Sequence, residues 1–553
     1  MNDARTIIFP AKRIITMNAS QPEATAVAVR GGRILGVGRR EDLAGWGRHE
    51  VDDSFAAKVL MPGLVEAHSH VTEAGSWSFT WAGPYDRRAP DGKVHGACRS
   101  VDEVLARLTL AERELEGDGP LIAWGFDPLS LADGDLDRRH LDRVSASRVV
   151  VVAHASLHKL SVNSAGLTAA GITRETAIEG VERLPDVEPS GVLAETRAML
   201  MAGRPLLAVV AAWSSEAAIR DFGRLARNVG CTTISDLGTT NMADEAAFDR
   251  WSRVVNAPEF PARVDVSYGS VPNFPLPSAG RDAAARKFVE MRTRSTDKLF
   301  MGRVKLVADG SIQGFSARLR WPGYFNGAGN GIWNIEPADL RDLTLAFHKA
   351  GLQVNCHCNG DEAIDAFIDA VAYAQAQAPR FDHRHTIQHA QMITDDQLKR
   401  AKALGMCVNL FANHLWYWGD VHHEITLGPE RAARLDPCGA ALRHGVPMTI
   451  HSDAGVTPLG QLHTAWCAVN RTTQTGRVLG EAERISAGEA LYAATMGAAY
   501  QLFKDREIGS IEAGKFADFA VLEEDPLAVA PMELKDVPVW GTVLGGKPCP
   551  AER

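Results

Sequence analysis

Cysteine is scarce in this chain. There are eight in 553 residues, and no two stand at CxxC spacing, so a disulfide framework is not expected. Basic runs are lacking too. Lys and Arg number 59 against 68 Asp and Glu, a net charge of -9, which argues against nucleic acid or an anionic membrane surface as a partner. No apolar stretch is long enough to span a bilayer. The opening "MNDARTIIFPAKRIITMNAS" has no basic segment followed by a long apolar one, so a secretory leader is not expected and the cytoplasm is the expected compartment. The sequons at Asn18 and Asn470 then carry no meaning. No solenoid-type repeat or low-complexity tract is visible.

What remains is a soluble, globular composition, 45% hydrophobic and 23% charged, in a chain too long for one ordinary core. Residues 1 to about 58 read as short strands and turns, with a hairpin signal at "RGGR". "GSIEAGKFADFAVLEEDPL" and "VPVWGTVLGGKP" near the other end read the same way. These imply a small β-sandwich domain built from residues 1–58 and 500–553. Between them, eight apolar strand candidates alternate with polar loops and helical stretches: 59–70, 231–238, 262–269, 303–310, 352–361, 384–391, 406–414 and 446–455. The pattern predicts an α/β fold, a (β/α)8 barrel over 59–499. The first crossover is too long, so an insertion is expected after barrel strand one, at about 75–220.

In such a barrel the chemistry sits at the carboxyl ends of the strands. Strand one ends in His68-Ser69-His70, whose imidazoles share one face. Strand five ends at His357, strand six at His389 and strand eight at Asp453. Four histidines and an aspartate at one mouth suit a borderline metal such as Zn²⁺. Strand four, "GRVKLVADGS", carries Lys305 among apolar residues, where an unpaired ammonium is disfavoured. A neutral amine can take up CO2 and become a carbamate, an anionic ligand with two oxygens able to bridge two metals.

The phrases "MPGLVEAHSH", "WGFDP", "VNSAGL", "GCTTISDLG", "VKLVADGS", "HCNGDEAID", "IQHAQ", "HSDAG" and "IGSIEAGKFADFAVLEEDPL" resemble the amidohydrolase superfamily over nearly the whole chain. The nearest branch is the YtcJ-like group with its N-substituted formamide deformylases. The resemblance implies a metal-dependent hydrolase of C–N bonds in amides, formamides or cyclic amides. It implies one zinc on His68, His70 and Asp453, a second on His357 and His389, and a carboxylated Lys305 bridging the two. Metal-activated hydroxide would attack the carbonyl, and Asp453 would carry the proton to the leaving nitrogen. The chain departs from the family pattern at Gln388, where glutamate is common, at His451 in "HSDAG", and at "NLFANH" on strand seven.

Around this centre His158 and His414 are expected to contact substrate. Trp81, Phe126, Trp416 and Trp418, with Trp77 and Trp124, are expected to wall the mouth for a hydrophobic or aromatic small molecule. His451 reads as barrel filler, and Cys356 and Cys358 as packing residues. "GSIEAGKF" has Phe516 where a phosphate loop needs Ser or Thr, and it precedes a strand. Two other functions compete with the binuclear hydrolase. A mononuclear deaminase of the same superfamily needs no strand-four lysine, and a non-catalytic scaffold would be expected to have lost ligands. A homodimer is possible.

Overall fold

Eight parallel strands form the centre of the computed structural model, which describes residues 5–131, 134, 136–238, 242–269 and 278–552. They are β1 Leu64–Ser69, β2 Cys231–Leu237, β3 Arg263–Tyr268, β4 Leu299–Val307, β5 Gln353–Cys358, β6 Thr386–His389, β7 Cys407–Leu410 and β8 Met448–Ile450. They pair in chain order. Helices intervene, among them Glu216–Asn228, Pro337–Lys349, Asp361–Gln377 and Asp395–Leu404. The fold is therefore an α/β barrel of the (β/α)8 type.

Local sequence explains the helices. Asp361–Gln377 opens with Asp361 and Glu362, which suit the positive end of the helix dipole, and buries Ile364, Phe367, Ile368 and Val371 along one stripe. Asp395–Leu404 starts at a Thr394/Gln397 capping box and stops at Gly405 in a left-handed conformation.

The seam between β8 and β1 is closed mainly by a side chain. Buried Glu66 accepts hydrogen bonds from the backbone of His68 at 3.2 Å and of Ser452 at 3.0 Å, and from Gln461 at 2.9 Å. Burial pushes its carboxyl up to about 8 despite these donors. One backbone bond, His70 N to Ala454 O at 3.0 Å, adds to the seam.

Strand alternation sorts the residues. Cys356 and Cys358 join the apolar layer between strands and helices. The inward set is polar: Arg303 pairs with Asp265, Gln388 donates to Asn355 at 2.8 Å, and Asn409 donates to Gln388 at 2.9 Å. This network lies below the strand ends and leaves few free rotamers there.

Residues 59–70 were expected as one strand. They form two, because Val59–Pro62 pairs with Phe519–Leu522 in the terminal sheet before β1 begins. Gly63 marks the break, and a Cβ there would fall 1.8 Å from Thr232 Oγ1. The terminal sheet has eight strands drawn from both ends of the chain. It curls on itself, with its edge strand Arg33–Gly38 reached again through Ile34 N to Lys515 O at 2.9 Å. Phe9, Val27, Phe55, Phe519 and Val543 fill the curl.

Between β1 and β2 lies a third, six-stranded sheet, which includes Leu121–Phe126, Val150–His154, Lys159–Val162 and Pro189–Ala194. The helix Arg204–Trp213 follows it and leads to Glu216–Asn228. Among the described residues no helix is long and apolar enough to cross a membrane.

Three buried histidines tie the region where β5 and β6 begin. Val354 N donates to His385 Nδ1 at 2.9 Å, His385 Nε2 meets His348 Nδ1 at 2.8 Å, and His348 Nε2 donates to Ala378 O at 2.7 Å. His383 Nε2 donates to Leu404 O at 2.7 Å, and its Nδ1 accepts from His385 N at 3.0 Å. Each ring is satisfied only when neutral. Burial lowers all three, His383 to about 4. Unfolded histidines titrate near 6.5, so below that pH the unfolded chain binds more protons than the native one. Stability is fully present above about pH 6.5 and is expected to be lost as pH falls toward about 4. Melting temperature against pH checks this. A flat profile across that window contradicts it, and His383→Gln is expected to flatten the slope.

Candidate metal centre

His68, at the end of β1, is fully buried. Its Nδ1 lies 2.7 Å from Gln388 Oε1. That oxygen is oriented because Gln388 Nε2 already donates to Asn355. The amide therefore holds the proton on Nδ1 and leaves Nε2 as the lone-pair nitrogen. Nε2 is 3.3 Å from Lys305 Nζ and 3.5 Å from Asp453 Oδ1. His70 Nε2 approaches the same oxygen at 3.3 Å, and His389 Nδ1 is 3.6 Å from Asp453 Oδ2. His357 donates from Nε2 to Gly310 O at 3.0 Å, leaving Nδ1 as its lone-pair nitrogen, and its ring centroid is 4.4 Å from that of His389. Gln388→Ala is expected to weaken metal affinity 10- to 100-fold, the usual range for such supporting partners. Titration against a metal indicator checks this, and unchanged affinity contradicts the orienting role.

Lys305 is 5% exposed. Burial brings its ammonium down to about 8. The adjacent loop leaves room for it only as glycine, since a Cβ on Gly238 would sit 3.0 Å from Lys305 Cβ and Cγ. Burial alone would raise the Asp453 carboxyl, but His70, His451 and Lys305 outweigh it and hold Asp453 at about 2, an anion. His389 and Asp453 both adopt positive φ, 66° and 51°, a strained backbone of the kind found at functional sites.

The donor set fits a divalent ion. His389 Nδ1 and Asp453 Oδ1 are buried with no hydrogen-bond partner, a costly state that an ion relieves. The ligand atoms of His68, His70 and Asp453 lie within 4.8 Å of one another, and those of His68, His389 and His451 do the same. All six expected ligands line one cavity of about 210 Å³.

The second wall of that cavity comes from the inserted sheet. His158 lines it, with its Nδ1 2.9 Å from Glu195 Oε2 and its ring 4.9 Å from His357. Glu195 also accepts from Asn334 at 2.8 Å and has a strained φ of 62°. Burial disfavours the His158 cation, yet the Glu195 carboxylate raises its pKa overall. Glu195 was not singled out from sequence; an acid closing the apolar run "SGVLAE" was its only signal.

Five expected substrate contacts lie elsewhere. Trp81 packs on Trp124 at 4.7 Å within the insertion. Phe126 and Trp418 line a separate cavity of about 150 Å³, and the Trp418 indole donates to Asp127 at 2.6 Å. Trp416 packs on Trp466 at 5.2 Å. His414 is buried 3.3 Å from Asp436. The cavity of the candidate ligands is instead walled by Leu157, Met199, Leu206, Val210, Trp213 and Val456. The indoles found more apolar area inside the packed layers than at a solvent-facing mouth.

The amidohydrolase family profile matches residues 57–550. The chain belongs to the amidohydrolase family. Curated amidohydrolase-like relatives run over the whole length. The N-substituted formamide deformylase of Arthrobacter pascens is 26% identical over 565 residues, covering 99% of this chain and 98% of that protein. The YtcJ protein of Bacillus subtilis (strain 168) is 25% identical over 547 residues, covering 97% of each. Among solved structures, an uncharacterized metal-dependent hydrolase from Pyrococcus horikoshii OT3 superposes with a TM-score of 0.71 at 19% identity, covering 95% of this chain and 99% of that one. That likeness supports the amidohydrolase barrel fold.

Proposed function

We propose that this amidohydrolase is a metal-dependent hydrolase that cleaves a non-peptide C–N bond, an amide, formamide or cyclic amide, in a small apolar molecule. The observation that carries the reading is the meeting of His68, His70, Lys305, His357, His389 and Asp453 in one cavity, with buried ligand atoms of His389 and Asp453 left unpartnered. His68, His70 and Asp453 would hold one zinc ion, His357 and His389 a second, and Lys305 as a carbamate would bridge them. When bound, the ions supply Lewis-acid polarisation of the carbonyl and lower the pKa of water to about 7. Asp453, an anion at the cavity floor, accepts the proton of the attacking water and returns it to the leaving nitrogen. Gln388 keeps His68 in the ligating tautomer. His158, braced by Glu195, faces the substrate from the opposite wall.

The apolar wall supports an uncharged hydrocarbon or aryl substituent on the substrate. Trp213→Ala is expected to raise KM for bulky apolar amides about 10-fold, the effect of losing a few methylene equivalents of contact, with kcat little changed. An unchanged KM contradicts the assignment of this wall.

The deciding experiment is a hydrolysis screen of N-formyl, N-acyl and cyclic amides with zinc-loaded protein, together with metal quantification. Turnover of an amide with two zinc ions per chain supports the binuclear reading. One ion per chain with release of ammonia from an amino-substituted ring favours the mononuclear deaminase. No metal and no turnover favours a scaffold.

A further inference from the structure

A carboxylate outside the group His68, His70 and Asp453 ties its two ends together. Glu73 stands three residues past His70, on the short helix Thr72–Gly75 that follows β1. Its Oε2 accepts a hydrogen bond at 2.9 Å from the backbone N–H of Gly455, two residues past Asp453. On the other flank of Asp453, Ser452 N donates to Glu66 at 3.0 Å. The turn that carries Asp453 at φ 51° is therefore gripped from both sides. Gly455 has a φ of 115°, and a Cβ there would lie 2.4 Å from Thr72 Oγ1, so turn and helix are in close contact.

A carboxylate only 2% exposed needs a counter-charge. Arg87, also buried, supplies it. Its Nη2 donates to Glu73 Oε2, the same oxygen that Gly455 N meets. The guanidinium lies over Trp81 and Trp124 of the inserted sheet, 5.2 and 4.9 Å from their ring centroids. Its Nε is buried with no hydrogen-bond partner, so the ring faces carry part of its charge. These two indoles were expected to meet substrate; they box a cation instead. A buried ion pair of this kind adds little stability over apolar side chains of similar volume. It does give one backbone N–H a charge-assisted acceptor, at the turn that carries Asp453.

We propose that Glu73 and Arg87 are positioning residues. They form a strut from the inserted sheet to the strand-eight turn and set the spacing of His70 and Asp453, whose Nε2 and Oδ1 are 3.3 Å apart. Neither residue lines the cavity, so both act through Asp453. The inference rests on the metal-dependent reading above and adds that the insertion fixes ligand geometry as well as walling the cavity.

The test uses paired variants, since removing one partner alone would strand the other charge in the interior. Glu73→Ala with Arg87→Met removes the strut. Glu73→Gln with Arg87→Met removes the charges and keeps an oxygen for Gly455 N. Zinc affinity is read on full-length protein by competition with a chromophoric chelator, and ligand geometry by the visible absorption of the Co²⁺ form. The alanine pair is expected to bind zinc at least about 10-fold more weakly, the scale of outer partners, with an altered Co²⁺ spectrum. Its kcat is expected to fall about 10²-fold at little change in KM, the cost of misplacing a group by about 1 Å. The glutamine pair is expected to recover most of the affinity and the wild-type spectrum. Wild-type affinity and spectrum in the alanine pair overturn the proposal, even if its melting temperature falls. Equal loss in both pairs also overturns it. Should the alanine pair fail to fold, a crystal structure of zinc-loaded wild type decides: Glu73 on Gly455 N with Asp453 on the ion supports the strut, and Glu73 turned away from that N–H overturns it. Wild type that binds neither zinc nor cobalt refutes the metal-dependent reading itself, and the strut's role with it, a result distinct from equal binding by wild type and variants.

Discussion

Asp453→Asn is expected to lower kcat about 10³- to 10⁴-fold, with little change in fold stability. Two losses combine. The carboxylate is the only anion among the grouped ligand atoms of His68, His70 and Asp453, so its removal weakens hold on the ion. In the proposed reaction it also moves the proton from water to the leaving nitrogen, a role worth about 10²- to 10⁴-fold. Asparagine keeps size and shape, so the strained turn at φ 51° is not repacked. The measurement is kcat on the best amide from the screen, with metal content determined on the same sample. Loss of activity at full metal occupancy assigns the proton-transfer role. Loss of metal assigns the ligand role. Full activity removes Asp453 from the mechanism.

Lys305→Ala is expected to lose about one metal equivalent and to lower activity about 10³-fold or more, the scale of removing a positioned electrostatic group from a dry site. The reasoning starts from burial. An ammonium 5% exposed, 3.3 Å from an imidazole nitrogen, is held near the pH where it loses its proton. In the proposed binuclear reading, a carbamate on that amine would turn an unfavourable cation into an anion between the two ions. Formate or acetate is therefore expected to restore part of the activity of Lys305→Ala by entering the space left behind. Apo wild type is expected to regain zinc faster with bicarbonate than without it. Retention of both metal equivalents and of turnover in Lys305→Ala refutes the bridge.

The fold was legible because its signals are local and repeated. Apolar runs of strand length, each followed by a polar loop and a helical stretch, specify an alternating barrel, and the period-two rule alone puts His68 and His70 on one face. That the candidate ligands share one cavity was legible for a related reason: in this architecture a strand end is already an address, so a histidine or aspartate at each of several ends implies a meeting point. Family phrases along the chain pointed the same way, and the profile match supports them.

Side chains with no such address were not legible. An indole in a loop satisfies the same hydrophobic term against any apolar neighbour, so nothing local distinguished Trp213, which walls the cavity, from Trp81, Trp416 and Trp418, which pack elsewhere. Glu195 and Gln388 gained their roles from partners 37 and 320 residues away, His158 and His68. His451 reads as filler from the sequence, and the structure buries its ring between His68 and Phe411. The amino-acid sequence by itself determined the barrel, the family and the donor types at the strand ends, because periodicity and strand alternation are written into neighbouring residues. Only the tertiary structure decided which apolar side chains line the cavity, which tautomer His68 holds and which buried nitrogen lacks a partner, because hydrogen-bond satisfaction and apolar contact depend on the whole packed surroundings.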